Sequence, residues 1–280
     1  MMRGTLANRP AVQPPFVFTQ SNLQDFDRCP RLFYLRWVAR VEWPQTTLSR
    51  EREADLLQRS RFHRLVQQWL LNINVAPIIE AEPADSPLRT WWQAFRDHPP
   101  ALPAGSRFPE VELAAPIGEH VLLARMDLLV AEPRRRLTIF DWKTGFFYPR
   151  LERLRESWQT VVYRYLAVEA GAPYFGEPAV LPDAVEMIYW FSEYPATPLA
   201  LPYSAEEHTA AGERLRERVA QIASLPAESF TPCEDEQTCL FCPYWGYCGR
   251  AKEGEALAGT DIAAGPPDEW DWSDVPEFEY

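Results

Sequence analysis

In the run Ile139-Phe140-Asp141-Trp142-Lys143-Thr144-Gly145, a carboxylate and an ammonium stand two residues apart. On a β-strand, side chains at i and i+2 share a face, so Asp141 and Lys143 point together while Trp142 points away. A preceding strand that turns back about Arg134 sets Asp127 opposite Asp141, because both are equidistant from that turn. Two carboxylates so close cannot both stay ionised without compensation. A hard divalent cation such as magnesium or manganese supplies it, since it prefers oxygen ligands. Lys143 would then sit beside the ion, placed to orient or deprotonate a water. The same tripeptide also suits an ordinary strand with an exposed Asp141–Lys143 ion pair, because short motifs often match by chance.

Lysine usage adds weight to Lys143. Of 28 basic residues only two are lysines, Lys143 and Lys252. The chain uses arginine for its other cations, so a lysine kept here suggests chemistry that needs a compact, titratable charge. Neither lysine follows a glycine, which excludes a Walker A phosphate loop. Two further features accompany the motif. His63 lies in the helical stretch Arg61-Phe62-His63-Arg64-Leu65-Val66, and Gln159 and Tyr163 are spaced i, i+4, hence on one helix face.

In order, His63, Asp127, Asp141-x-Lys143 and Gln159-x3-Tyr163 resemble the motifs of the RecB-like PD-(D/E)XK nuclease family. That family includes the nuclease domains of RecB, AddA and AddB and the CRISPR-associated single-stranded-DNA exonucleases that carry an iron–sulfur cluster. The resemblance covers roughly residues 20–250. It implies an α/β, restriction-endonuclease-like core, a mixed sheet flanked by helices. It implies that His63, Asp127 and Asp141 bind magnesium or manganese with help from the Trp142 carbonyl, that Lys143 activates the attacking water, and that Gln159 and Tyr163 position the lysine or the substrate strand. Glu112 stands where the family often has an acid and takes a supporting role. The implied reaction is hydrolysis of DNA phosphodiesters, as an exonuclease on single strands or free ends. Two departures are visible: Ser60 and Arg61 stand where a glycine is common before the histidine, and Gln67 where an acid often follows.

Cys239-x2-Cys242-x5-Cys248 places three thiolates around one centre, with Cys29 as the natural fourth. Such a set can hold zinc or an iron–sulfur cluster. The resemblance implies a structural [4Fe–4S] cluster on Cys29, Cys239, Cys242 and Cys248, stapling the C-terminal segment to the N-terminal helix. Cys233 is left over, a free thiol or reserve ligand.

The elements that must position these groups follow from pattern. Residues 1–15 are proline-rich and read as a flexible N-terminus, 16–250 as the nuclease domain with its cysteine cluster, and 251–280 as an acidic disordered tail. Phe16 to Thr19 reads as a strand, followed by a helix capped by Ser21 with Gln24 and interrupted at Pro30. Helices are expected over 49–71, around 91–95, over 151–170 and over 205–224, and strands over 110–115, 120–131, 137–142 and 185–191. Residues 74–90 read as a loop.

The 280 residues, 46% hydrophobic, suffice for one large domain. No apolar run is long enough to span a bilayer, the N-terminus lacks a secretory layout, and five cysteines fit a reducing compartment, so a cytoplasmic protein is expected. The net charge of -12 is uneven: nine acids against Lys252 give the last 30 residues -8, leaving -4 for the first 250. A body that near neutrality can carry a basic groove for DNA. The run from Arg28 to Arg40 interleaves arginines with Phe33, Tyr34 and Trp37, which suits either a single strand or an amphipathic helix with its aromatics inward. The tail alternates acids with aromatics and suits partner docking, competition with DNA, or solubility. The absence of a helicase motif assigns unwinding to a helicase, repair or CRISPR partner protein. The rivals are a catalytically silent DNA-binding module of such a complex and a redox sensor built on the cysteines.

Overall fold

A computed structural model of the chain describes residues 9–42, 50–145, 150–235, 238, 239, 242 and 244–249. The acidic tail and residues 1–8 lie outside the described residues. The chain enters through β1 (Val17–Phe18) and turns directly into α1 (Gln20–Arg28). The cap is Thr19, not Ser21: its hydroxyl accepts the Asn22 N–H, and the Asn22 side chain accepts the Thr19 N–H. Asn22 performs the reciprocal role expected of Gln24 because its amide also reaches the Val17 carbonyl at 2.9 Å, tying helix to strand. Cys29 is extended, and Pro30 opens α2 (Pro30–Phe33), which runs on into a π-helical turn over Tyr34–Val38. Buried Asp25 holds that turn, accepting from Arg36 at 3.1 Å and from the Trp37 indole at 2.7 Å. Arg36 and Trp37 therefore serve the fold; the inward turn of Arg36 differs from the amphipathic reading of the 28–40 run, which leaves its arginines in solvent.

Next come α3 (Arg50–Leu70), a short α4 (Ala76–Glu80) inside the expected loop, and α5 (Pro87–Asp97). The strands β2 (Ser106–Ile117), β3 (His120–Glu132) and β4 (Arg136–Lys143) follow. The helix expected over 151–170 is two: α6 (Leu151–Glu156) and α7 (Trp158–Ala170). Ser157 separates them with ψ 144° and caps α7 by accepting the Thr160 N–H. The rest is α8 (Ala172–Phe175), β5 (Val185–Phe191), β6 (Leu199–Pro202) and α9 (Ala205–Ser224), the last capped by a reciprocal Ser204–Glu207 pair.

The strands form one mixed sheet in the order β1-β3-β4-β5-β6, with β2 on the other edge of β3. β3 and β4 pair with the register centred on Arg134, from Glu132–Arg136 to Leu128–Phe140, as the sequence predicts. Along that same edge β1 takes Val121 and Leu122 of β3, while β4 takes Leu128 to Glu132. The two partners thus leave a fork beside Asp127. On one face, α1, α7 and α9 cover a core that includes Phe26, Val162, Leu166, Tyr189 and Leu215. On the other, α3 and α5 pack Phe62, Val66, Trp91 and Phe95 on Phe140, Trp142 and Trp190. Residues 10–12, within the stretch expected to be flexible, pack on this body: Val12 is buried, and the Ala11 N–H donates to the Leu225 carbonyl at 2.9 Å. An apolar side chain next to an unpaired backbone edge is enough to hold prolines in place. Among the described residues no helix is long and apolar enough to cross a membrane.

Phe95 is the keystone of the smaller core, stacking on Trp92 and meeting Phe62, Trp69, Trp142 and Trp190 edge-on. Phe95→Ala is expected to cost about 3–5 kcal/mol, read as a lower midpoint in urea denaturation.

Candidate active site

β3 departs from simple alternation at the fork. Leu122, Ala124 and Met126 face the larger core, but so do Leu129 and Ala131, while Leu128 and Val130 face the smaller one. β2 slips in step: Phe108 packs on the larger core, and so do Val111, Leu113 and Ala115. Pairing continues on both sides, Pro109 with Leu128 and Val111 with Met126, and is interrupted between them where Glu110 stands opposite Asp127. Glu110 has φ +52°. A non-glycine residue there costs on the order of 1–2 kcal/mol, and such distortions re-aim side chains next to functional sites.

The slip gathers three side chains that could hold a metal ion. One ligand atom each from His63, Glu110 and Asp127 lies within 4.8 Å of the other two, the one such trio of histidine, cysteine and acidic residues among the described residues. His63 comes from α3, where Phe62 is fully buried against Trp190 and so turns the next residue toward the sheet. His63 Nδ1 lies 3.0 Å from Asp127 Oδ1, and Asp127 Oδ2 accepts the Trp142 N–H at 2.7 Å. With Nδ1 protonated toward the carboxylate, Nε2 carries the imidazole lone pair. Glu112, given a supporting role from the sequence, lies elsewhere. It is exposed and pairs across the strands with Arg125 at 2.9 Å. Glu110 is the acid that the sequence reading missed.

Asp141, Lys143, Gln159 and Tyr163 do come together. Asp141 is 3% exposed. Its Oδ1 accepts from Gln159 Nε2 at 2.7 Å, and its Oδ2 is 2.9 Å from Lys143 Nζ. Lys143 Nζ also donates to Gln159 Oε1 at 2.7 Å and lies 5.5 Å from the Tyr189 ring centre. The ammonium is therefore held from two sides. Gln159 Nε2 lies 3.4 Å from Tyr163 Oη, which Gln20 of α1 approaches at the same distance. Burial pushes the Asp141 carboxyl up to about 6 against the lowering effect of Lys143, and the nearby Asp127 charge raises it further. Asp141 is thus electrostatically joined to the trio without being one of it.

The end of β4 is tied to α3. Arg59, one turn before His63 on α3, donates to the Thr144 carbonyl. Gly145 has φ +127°, a conformation that favours glycine, and a Cβ there would displace the Arg59 guanidinium, which it would meet at 2.9 Å.

The cysteines form a second centre. Cys29, Cys233, Cys239, Cys242 and Cys248 line one pocket with Leu32, Leu35, Pro232, Tyr244 and Trp245. Cys233, left over in the sequence, is inside it. Burial pushes the Cys242 thiol up to about 11, and burial with the neighbouring Cys29 and Cys239 sulfurs pushes Cys233 up to about 12. Such a pocket disfavours bare thiolates and suits thiolates bound to a cationic centre.

A carboxyl raised from an ordinary 3.8 to about 6 binds more protons folded than unfolded. Its contribution to stability is therefore full below pH 3.8 and is lost as pH rises through about 6, by at most about 3 kcal/mol. In EDTA-treated protein, unfolding free energy is expected to fall across pH 4–6, and Asp141→Asn is expected to flatten that segment in denaturant titrations.

The chain matches the family model of the PD-(D/E)XK nuclease superfamily over residues 17–249. No curated protein matches it. A solved structure from Eubacterium rectale, described as a "putative exonuclease", has 11% identity and a TM-score of 0.51, covering 88% of this chain and 92% of that one. Another, SSO0001, has 13% identity and a TM-score of 0.36, covering 86% and 90%. With the match spanning His63 through Cys248 and the site geometry above, the chain belongs to the PD-(D/E)XK nuclease superfamily.

Proposed function

We propose that this protein is a RecB-like DNA nuclease that requires magnesium or manganese, cleaves single strands or DNA ends as an exonuclease, and carries a structural [4Fe–4S] cluster. The observation that carries the reading is the convergence of His63, Glu110 and Asp127 next to the buried Asp141–Lys143–Gln159 network. The donor set fits a hard divalent cation: two carboxylates and an imidazole within reach of one centre, with Asp141 close enough to feel them. When bound, the metal supplies charge stabilisation on the phosphate. His63, Glu110, Asp127 and Asp141 would hold it. Lys143, held by Asp141 and Gln159, would orient the attacking water and, in its neutral amine form, take the water's proton, while Tyr163 supports Gln159. The preference for single strands or ends rests on the resemblance to the RecB-like members.

The cysteine pocket fits the cluster. Its donors are all sulfur and its walls apolar. The same thiolates can hold zinc, and the preference for the cluster rests on the resemblance to the iron–sulfur members. In this reading Cys29, Cys239, Cys242 and Cys248 hold the cluster, and its role is to clamp the C-terminal segment onto α1 and α2.

End-labelled single- and double-stranded DNA is expected to be cut by anaerobically purified protein with manganese or magnesium and left intact with EDTA. Lys143→Ala should lower the rate by about 100-fold or more. Folded, metal-loaded protein that binds DNA and cuts no substrate would overturn the enzyme reading in favour of a silent binding module. Glu110→Gln is expected to raise the manganese concentration needed for half-maximal cleavage at least tenfold, whereas Glu112→Gln should leave it unchanged. The opposite pattern in a manganese titration would remove Glu110 from the site.

A further inference from the structure

We propose that Cys233 is an exchangeable ligand of the cysteine-bound centre, able to take the position of Cys239, so that the pocket holds four ligand positions with five thiols. The proposal rests on the reading of this pocket as a metal-cluster site. Four observations lead to it. Cys233 lines the same pocket as Cys29, Cys239, Cys242 and Cys248. Its Sγ lies 4.0 Å from Cys239 Sγ, close to sulfur–sulfur contact. Both thiols face one acceptor, the Asp235 carbonyl, at 3.4 Å from Cys233 and 3.9 Å from Cys239. The Cys233 N–H donates to Cys29 Sγ at 3.3 Å, which fixes its backbone against another ligand.

The local chain explains why these two sulfurs converge. Asp235 accepts the Thr238 N–H at 3.3 Å and the Thr238 hydroxyl at 2.9 Å, folding the segment back on itself. That turn lays Cys233 beside Cys239, six positions later. Two sulfurs in contact converge on one place in the pocket, so they would compete for a single ligand position. The one that is not bound donates to the Asp235 carbonyl. Exchange is redox-neutral: the incoming Cys233 thiol releases the proton that the departing Cys239 thiolate takes up. Thiolate ligands exchange readily where a second thiol is held nearby, because no chain rearrangement has to be made at that moment.

The exchange also changes what the centre clamps. With Cys239 bound, Thr238 and Cys239 would be tied to the cluster, and with Cys233 bound Pro232 and Cys233 would be tied there instead, beside Cys29. Cys242 is held differently: backbone bonds tie it to Cys239 and Trp245, and the Cys29 and Cys248 sulfurs are its neighbours in the pocket.

The test uses the full chain purified without oxygen, as wild type, Cys233→Ala, Cys239→Ala, the double variant, and Cys242→Ala. Iron and acid-labile sulfide are counted per chain, and the dithionite-reduced proteins are compared by electron paramagnetic resonance. Wild type, Cys233→Ala and Cys239→Ala should each hold about four irons, with a shifted resonance in Cys239→Ala. The double variant and Cys242→Ala should lose most of the iron. Cys239→Ala losing iron as fully as Cys242→Ala, while circular dichroism shows both folded, would overturn the exchange. Wild type holding zinc would overturn the cluster reading by itself, and zinc retention in the same five proteins would then decide the exchange. Wild type holding no metal would overturn both.

Discussion

A carboxylate buried where a sheet forks must be satisfied from every side, and the way Asp127 meets that requirement sets the geometry around it. One oxygen faces His63 of α3 and the other accepts the Trp142 N–H of β4. Three elements are thereby joined through one side chain that is 6% exposed. Spending the Trp142 N–H on a side chain ends the β3–β4 ladder at Leu128–Phe140. Beyond that point β4 pairs with β5 alone, and Asp141 and Lys143 project where a ladder partner would otherwise crowd them. Removing either bond would leave a buried carboxylate oxygen without compensation, which is costlier than never burying it.

The second half of the site is held from the opposite face. Asp141 is buried at an energetic cost, offset in part by Lys143 and by the Gln159 amide. Gln159 is where it is because the chain breaks at Ser157 and restarts α7 with a fresh cap, which aims the first turn of that helix at the end of β4. Gln20 at the start of α1 approaches Tyr163, and the same helix ends at Cys29 in the cysteine pocket. A nine-residue helix therefore spans the distance between the two centres. Whatever holds Cys29 in that pocket therefore acts on the same helix that borders the Gln159–Tyr163 network.

Much of this was legible from the residues. The period-2 pattern and a turn about Arg134 gave β3 as a partner of β4, and an amphipathic run over 205–224 marked α9. Glu110 was legible too, by arithmetic that the reading applied to one hairpin and not the other. The β2–β3 turn at Gly118 and Glu119 sets Glu110 opposite Asp127, just as the next turn sets Asp141 opposite it. Glu112 looked the better acid by family spacing alone, but its partner across the strands is Arg125, which satisfies it at the surface. The cap at Thr19 and the break at Ser157 were missed because both are choices among neighbouring hydroxyl residues, decided by what else each side chain can reach.

By itself the sequence determined the parts: which strands alternate, which helices are amphipathic, where His63, Asp127, Asp141, Lys143 and the cysteines fall, and what chemistry such groups can do. Those properties are local, set by side-chain type and by spacing along a periodic backbone. Only the tertiary structure decided that β2 and β3 slip together at Glu110 and Asp127, that Arg36 turns inward to Asp25, and that Cys233 lies against Cys239. Each depends on which distant groups compete for the same buried space and the same hydrogen-bonding partner. That competition is resolved by packing, which no spacing along the chain records.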